Sequence, residues 1–103
     1  MKKTMRYKFF RDWGHGWLRV PVDHLLKLGI INAITPYSYI NGSWAYLEED
    51  CDYGTFVAAW ERWAGIQWLP SERVEFASAH KREPQNSRIR TYDHYPNPQY
   101  KEV

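Results

Sequence analysis

The sequence predicts a small α+β domain: a mainly antiparallel sheet with two helices and a poorly structured C-terminal tail. Three observations carry that prediction. Residues 5–20 and 37–48 each read as two strands around a glycine-containing turn. Residues 21–28 and 53–64 place apolar side chains at helical spacing. From Lys81 the chain turns poor in aliphatics and rich in Pro and Asn. At 103 residues a single domain is expected, taken as 1–92, with 93–103 as a flexible or docked tail.

The elements follow in order. "MRYKFFR" (5–11) interleaves rings and bases as a strand does, and "WLRV" (17–20) alternates apolar and polar. Between them "DWGHG" (12–16) is turn chemistry, with two glycines able to take positive φ. Pro21 suits the first position of a helix, Val22, Leu25, Leu26 and Leu28 are expected to face inward, and Gly29 ends it. Asn41-Gly42, flanked by Tyr37, Tyr39, Trp44 and Tyr46, is a favoured hairpin turn, giving strands at 37–40 and 43–48. Asp52 is expected to cap the longer helix, where Tyr53, Phe56, Val57, Trp60 and Ala64 share a face and Gly65 is the stop. "IQWL" (66–69) and "RVEFASA" (73–79) read as strands separated by Pro70-Ser71, and "SRIRTY" (87–92) offers an edge strand.

Charge is patchy rather than large. The net charge of +2 is too small to argue for nucleic acid by itself. Lys2, Lys3, Arg6, Lys8, Arg11 and Arg19 nevertheless crowd the N-terminal hairpin, while "EEDCD" (48–52) gathers Glu48, Glu49, Asp50 and Asp52. The lone Cys51 rules out an internal disulfide and fits a reducing compartment. The basic start runs into "RDW" without an apolar leader segment, and no apolar stretch approaches a membrane span. A cytoplasmic protein with no membrane partner is expected.

The blocks "YKFFRDWGHGWLRVP", "YSY" and "YLEEDCD" followed by Phe56 resemble a group of short proteins encoded by bacteriophages, plasmids and integrated elements. The likeness runs from about Tyr7 to Phe56, with a weaker echo at "SRIRTYDHY". That group has no assigned chemistry to carry over, so no residue inherits a role. The resemblance implies a context, in which small proteins bind and inhibit a host machine such as a CRISPR or restriction effector, bind DNA, or tune the element's own expression.

No catalytic constellation is visible. His15 lies in an exposed Gly-His-Gly turn, yet no nucleophile is placed for it to serve; Asp12 beside it equally well fixes the turn. The acids of 48–52 do not match a calcium loop, and a strand running into a helix N-terminus explains them. They also suit imitation of nucleic-acid phosphates. Cys51 among acids is a poor nucleophile, and its spacing to His15, His24, His80 and His94 is not that of a zinc site. Neither metal nor cofactor is expected.

Rings set the functional expectation. The chain is 17% aromatic, with 6 Trp and 8 Tyr, and small cores rarely hide such rings completely. Trp13, Trp17 and Tyr39 are the expected contact rings, with Arg11, His15 and Arg19 beside them and an acidic patch of Glu48, Glu49, Asp50 and Asp52. The expected partner is a host protein or a protein–nucleic acid complex. The alternative is a nucleic-acid-binding regulator using the basic hairpin and the arm at 81–90, and a hydrolase or nuclease built on His15 and the acids ranks third.

Overall fold

The computed structural model describes residues 1–77 and 82–100. The strands are β1 (Tyr7–Arg11), β2 (Gly16–Pro21), β3 (Tyr39–Asn41), β4 (Trp44–Glu48), β5 (Val74–Phe76) and β6 (Asp93–His94). The helices are α1 (Val22–Lys27), α2 (Asp52–Ala64) and α3 (Pro70–Arg73), and a 3-10 turn spans Arg88–Thr91. The six strands form one sheet in the order β5-β1-β2-β4-β3-β6. Every pairing is antiparallel except the parallel edge pair β1–β5. The fold is therefore α+β, as the sequence predicts.

Strand alternation sorts the rings onto two faces. Phe9 pairs with Leu18 and Leu18 with Leu47, so Tyr7, Phe9, Leu18, Val20, Ala45 and Leu47 point to one side. The helices cover that side, and Phe56, Trp60 and Ala64 of α2 complete the core. The opposite side carries Phe10, Trp17, Tyr39 and Tyr46. There the chain folds back from its C-terminal part, and Ile89 and Tyr92 cover these rings as a second, smaller core.

The main core is a ring cluster. Trp68 stacks on Tyr7 at 5.8 Å and meets Phe56 and Trp60 edge-on at 5.9 and 5.2 Å. Trp60 is fully buried, and its indole N–H has no acceptor among the described residues. Leaving such a donor unpaired costs about 1–3 kcal/mol. Burying about 200 Å² of indole contributes about 5 kcal/mol, so burial wins.

Several expected elements are corrected. The segment 66–69 is not a strand: Trp68 turns into the core, its backbone N–H donates to Glu61 Oε2, and Pro70 starts α3. The strand expected over 73–79 is β5 alone among described residues; Ser78 and Ala79, with His80 and Lys81, lie outside them. The expected edge strand 87–92 is the 3-10 turn, opened by Ser87, whose Oγ accepts from the Ile89 N–H. In α1, Leu26 faces solvent while His24 and Leu25 turn inward. The hairpin loop is Gly42-Ser43 rather than Asn41-Gly42: Asn41 still pairs with Trp44, and only Gly42 has positive φ. That geometry fits a turn with Gly first, not the type needing two positive φ values.

The C-terminal segment is tied down as far as it is described. The Tyr95 N–H donates to the Ser38 carbonyl, and the Tyr95 ring joins the main core. The Asn97 amide donates to the carbonyls of Asn32 and Ile34 at 2.9 and 2.8 Å. Residues 101–103 of the expected tail lie outside the described residues.

Candidate functional site

The turn at 12–15 is organised by a carboxylate. Asp12 is buried, and Oδ1 accepts from the backbone N–H groups of Gly14 and His15, both at 2.9 Å. Oδ2 accepts from the Ser87 N–H at 2.9 Å and Arg90 Nε at 2.6 Å, while Arg90 Nη2 reaches Oδ1 at 3.0 Å. The Arg90 guanidinium, with these backbone donors, holds the Asp12 carboxyl far below the usual carboxylate range. The turn and the C-terminal arm are thus one unit, and His15 is presented from a fixed backbone.

Gly14 and Gly16 play a different part from the one expected, since neither has positive φ. A Cβ on Gly16 would stand 2.5 Å from the Phe9 ring and 2.8 Å from Glu49 Oε2; one on Gly14 would stand 2.9 Å from Arg90 Nη2. The glycines permit close approach rather than unusual backbone.

The four acids of 48–52 do not form one patch. Asp52 is fully buried below the surface, where it accepts from the Thr35 N–H and the hydroxyls of Thr35 and Ser38. It does not cap α2, whose N-cap is Cys51 without a side-chain bond. Glu49 faces the other side of the sheet end, against Gly16 and beside Phe9 and Tyr53. Only Glu48 and Asp50 turn towards His15. Glu48, opposite Trp17 in the β2–β4 ladder, is 9% exposed, and its Oε1 accepts the Asp50 N–H at 2.9 Å. Burial raises the Glu48 carboxyl; the Asp50 backbone N–H bond opposes this, while the Asp50 and Asp52 carboxylates add to it. Desolvation first, then Asp52 and Glu48, push the Cys51 thiol up, against a nucleophilic role.

His15, Glu48, Asp50 and Cys51 help line a cleft of about 420 Å³ on the sheet face that carries Trp17. His15, Glu48 and Asp50 stand on one side. Tyr37, Tyr39 and His94 supply rings, with Tyr39 and His94 stacked at 4.8 Å and His94 Nδ1 2.7 Å from the Pro36 carbonyl. No family model, no curated protein and no solved structure matches this chain. What the site does is therefore argued from its own chemistry.

The expected contact residues divide. Trp13 projects as expected, 68% exposed. Trp17 does not: it is 2% exposed, packed with Tyr46 and Ile89 and with the Arg90 guanidinium 5.4 Å from its ring centre. Its burial comes from the C-terminal arm, a cover no local pattern announces. Tyr39 is half-buried in the cleft wall. Arg19 lies against Trp44, 4.2 Å from its ring centre, and Arg11 approaches Glu83 at 3.9 Å. Four cleft residues lie outside the expected contact and acidic sets: Tyr37, Cys51, Arg90 and His94. Tyr37 was visible as a ring before the hairpin, but Arg90 and His94 arrive only through the return of the chain.

Proposed function

We propose that the protein acts by binding, docking on the surface of a host protein or protein–nucleic acid complex and blocking it. The mobile-element context comes from the sequence resemblance. The observation that carries the binding reading is the contrast among its rings. Trp17, Trp60 and Trp68 are sealed, while Trp13 and Tyr37 stand 68% and 72% exposed, one on the turn that carries His15 and one on the cleft wall. Rings left in water beside a concave surface suit anchoring in a partner's pockets. The test is capture of the host effector by the wild-type chain and by the W13A/Y37A double variant. The variant is expected to keep the wild-type melting temperature and lose the partner; unchanged capture would remove the reading.

A second reading, nucleic-acid binding, has one observation in its favour. The two basic segments meet: Ser87 and Arg90 both bond Asp12 of the N-terminal hairpin. Against it, Arg6 is spent on the carbonyls of Ser71 and Val74, and Arg19 on the ring of Trp44. A gel-shift series over salt separates the two readings, because phosphate contacts weaken steeply as salt rises.

A further inference from the structure

We infer that His15, Glu48 and Asp50 form a binding site for a divalent transition-metal ion, on one side of the cleft.

The linear spacing of these residues is unlike any metal motif. The fold nonetheless brings one ligand atom from each within 4.8 Å of the others. His15 comes from the β1–β2 turn, Glu48 from the end of β4 and Asp50 from the link to α2. A metal shell needs ligands at roughly 2.0–2.2 Å, so the three must close by about 1 Å or less. His15 and Asp50 are exposed on turns, so their side chains are free to make that movement.

Glu48 supplies the independent argument. Glu48 is 9% exposed as a residue and lines the cleft. Oε1 is held by the Asp50 N–H, and Oε2 has no donor among the described residues. The described ion pairs join Arg11–Glu83, Asp23–Lys27, Glu72–Arg73 and Asp12–Arg90; none of them includes Glu48 or Asp50. Asp52 lies close behind and is met only by neutral donors from Thr35 and Ser38. Arg90, the cleft's one arginine, is engaged by Asp12, so neither Glu48 nor Asp50 is ion-paired among the described residues, and a cation between them supplies the counter-charge.

Ligand type narrows the ion. One imidazole with two carboxylates suits Zn²⁺, Mn²⁺, Fe²⁺ or Co²⁺ and disfavours Ca²⁺, which takes an all-oxygen shell. Three protein ligands leave positions open to the cleft, as at exchangeable rather than structural sites. Asp12 is a positioning residue here, since its carboxylate holds the His15 backbone. The inference does not depend on the docking reading, which concerns the rings of Trp13 and Tyr37.

The test is calorimetric titration of the full chain with Zn²⁺, Mn²⁺ and Ca²⁺, with proton NMR of the His15 ring during the Zn²⁺ titration. One Zn²⁺ or Mn²⁺ per chain is expected, with the His15 ring protons shifting and no comparable binding of Ca²⁺. H15A, E48Q and D50N are each expected to weaken binding tenfold or more. W13A, which changes a ring outside the cleft lining, is expected to bind metal as the wild type does. H15A and D50N change exposed side chains, so they decide the matter even if E48Q perturbs β4. Absence of binding at millimolar metal, or binding indifferent to H15A and D50N with native far-UV circular dichroism, would overturn the site.

Discussion

Asp12 and Arg90, far apart in sequence, make a two-point ion pair with contacts of 2.6 and 3.0 Å, and this pair joins the first hairpin to the C-terminal arm. The Asp12 side chain is fully buried, whereas that of Arg90 is one-third exposed. Removing the cation therefore leaves a charge stranded among backbone donors. Arg90→Ala is expected to cost about 1–3 kcal/mol, below the full value for a wholly buried pair because solvent reaches the guanidinium. It is also expected to expose Trp17. Urea unfolding with tryptophan fluorescence reads both effects; a variant matching the wild type in midpoint and emission would contradict the bridging role.

Two glycine substitutions should have opposite signs. Gly16→Ala drives a methyl into the Phe9 ring and Glu49, and overpacking of that kind costs about 1–3 kcal/mol. Gly54 lies within α2 with nothing within 4 Å of an added Cβ. Gly54→Ala is therefore expected to stabilise by about 0.5–1 kcal/mol through helix propensity. Thermal melts of the two variants compare them directly, and a shared sign would refute the packing account.

Acid should weaken the fold through His24. Its ring is buried, and its Nδ1 lies 3.1 Å from the Tyr7 hydroxyl. Desolvation, then the N-terminal ammonium, lowers its affinity for a proton, with Asp23 opposing and Lys27 adding slightly. Burial likewise pushes Tyr7 up to about 12, so the pair is neutral near pH 7. The unfolded chain takes up a proton below the ordinary histidine value of about 6.5, where the native ring resists it. Stability should therefore fall as pH drops from 7.5 to 5.5, and the slope should shrink in His24→Asn. Denaturant midpoints across that range check it; equal slopes in the two proteins would remove His24 as the source.

Asp52 should prove structural. Its carboxylate satisfies the Thr35 backbone and two hydroxyls, and the Ser38 hydroxyl oxygen in turn accepts the Glu48 N–H at 2.9 Å. Asp52→Ala strands these donors and is expected to lose about 2–4 kcal/mol. Hydrogen exchange of the Thr35 and Glu48 amides should accelerate with it; unchanged protection would show the network to be dispensable.

Local chemistry was readable along the chain. Both hairpins, α1 and α2, the stops at Gly29 and Gly65, and the inward face of Phe56, Trp60 and Ala64 follow from strand alternation, helical spacing and glycine at helix ends. Such signals act between residues a few positions apart. The failures at 66–69 and 87–92 share a cause: both segments have strand-like composition, but Trp68 and Ile89 are claimed by rings from distant parts of the chain.

By itself, then, the sequence determined the fold class and most element positions, because backbone propensity and apolar periodicity are short-range. It also marked Trp13 and His15 as members of an exposed turn. The return of the C-terminal arm decided the rest. That arm buries Trp17, brings Arg90 to Asp12 and places His94 against Tyr39; the antiparallel register of β2 and β4, with the turns at their ends, sets His15 beside Glu48 and Asp50. Contacts of that kind depend on charge pairing and ring packing between segments remote in sequence, which only a closed tertiary structure brings within reach of one another.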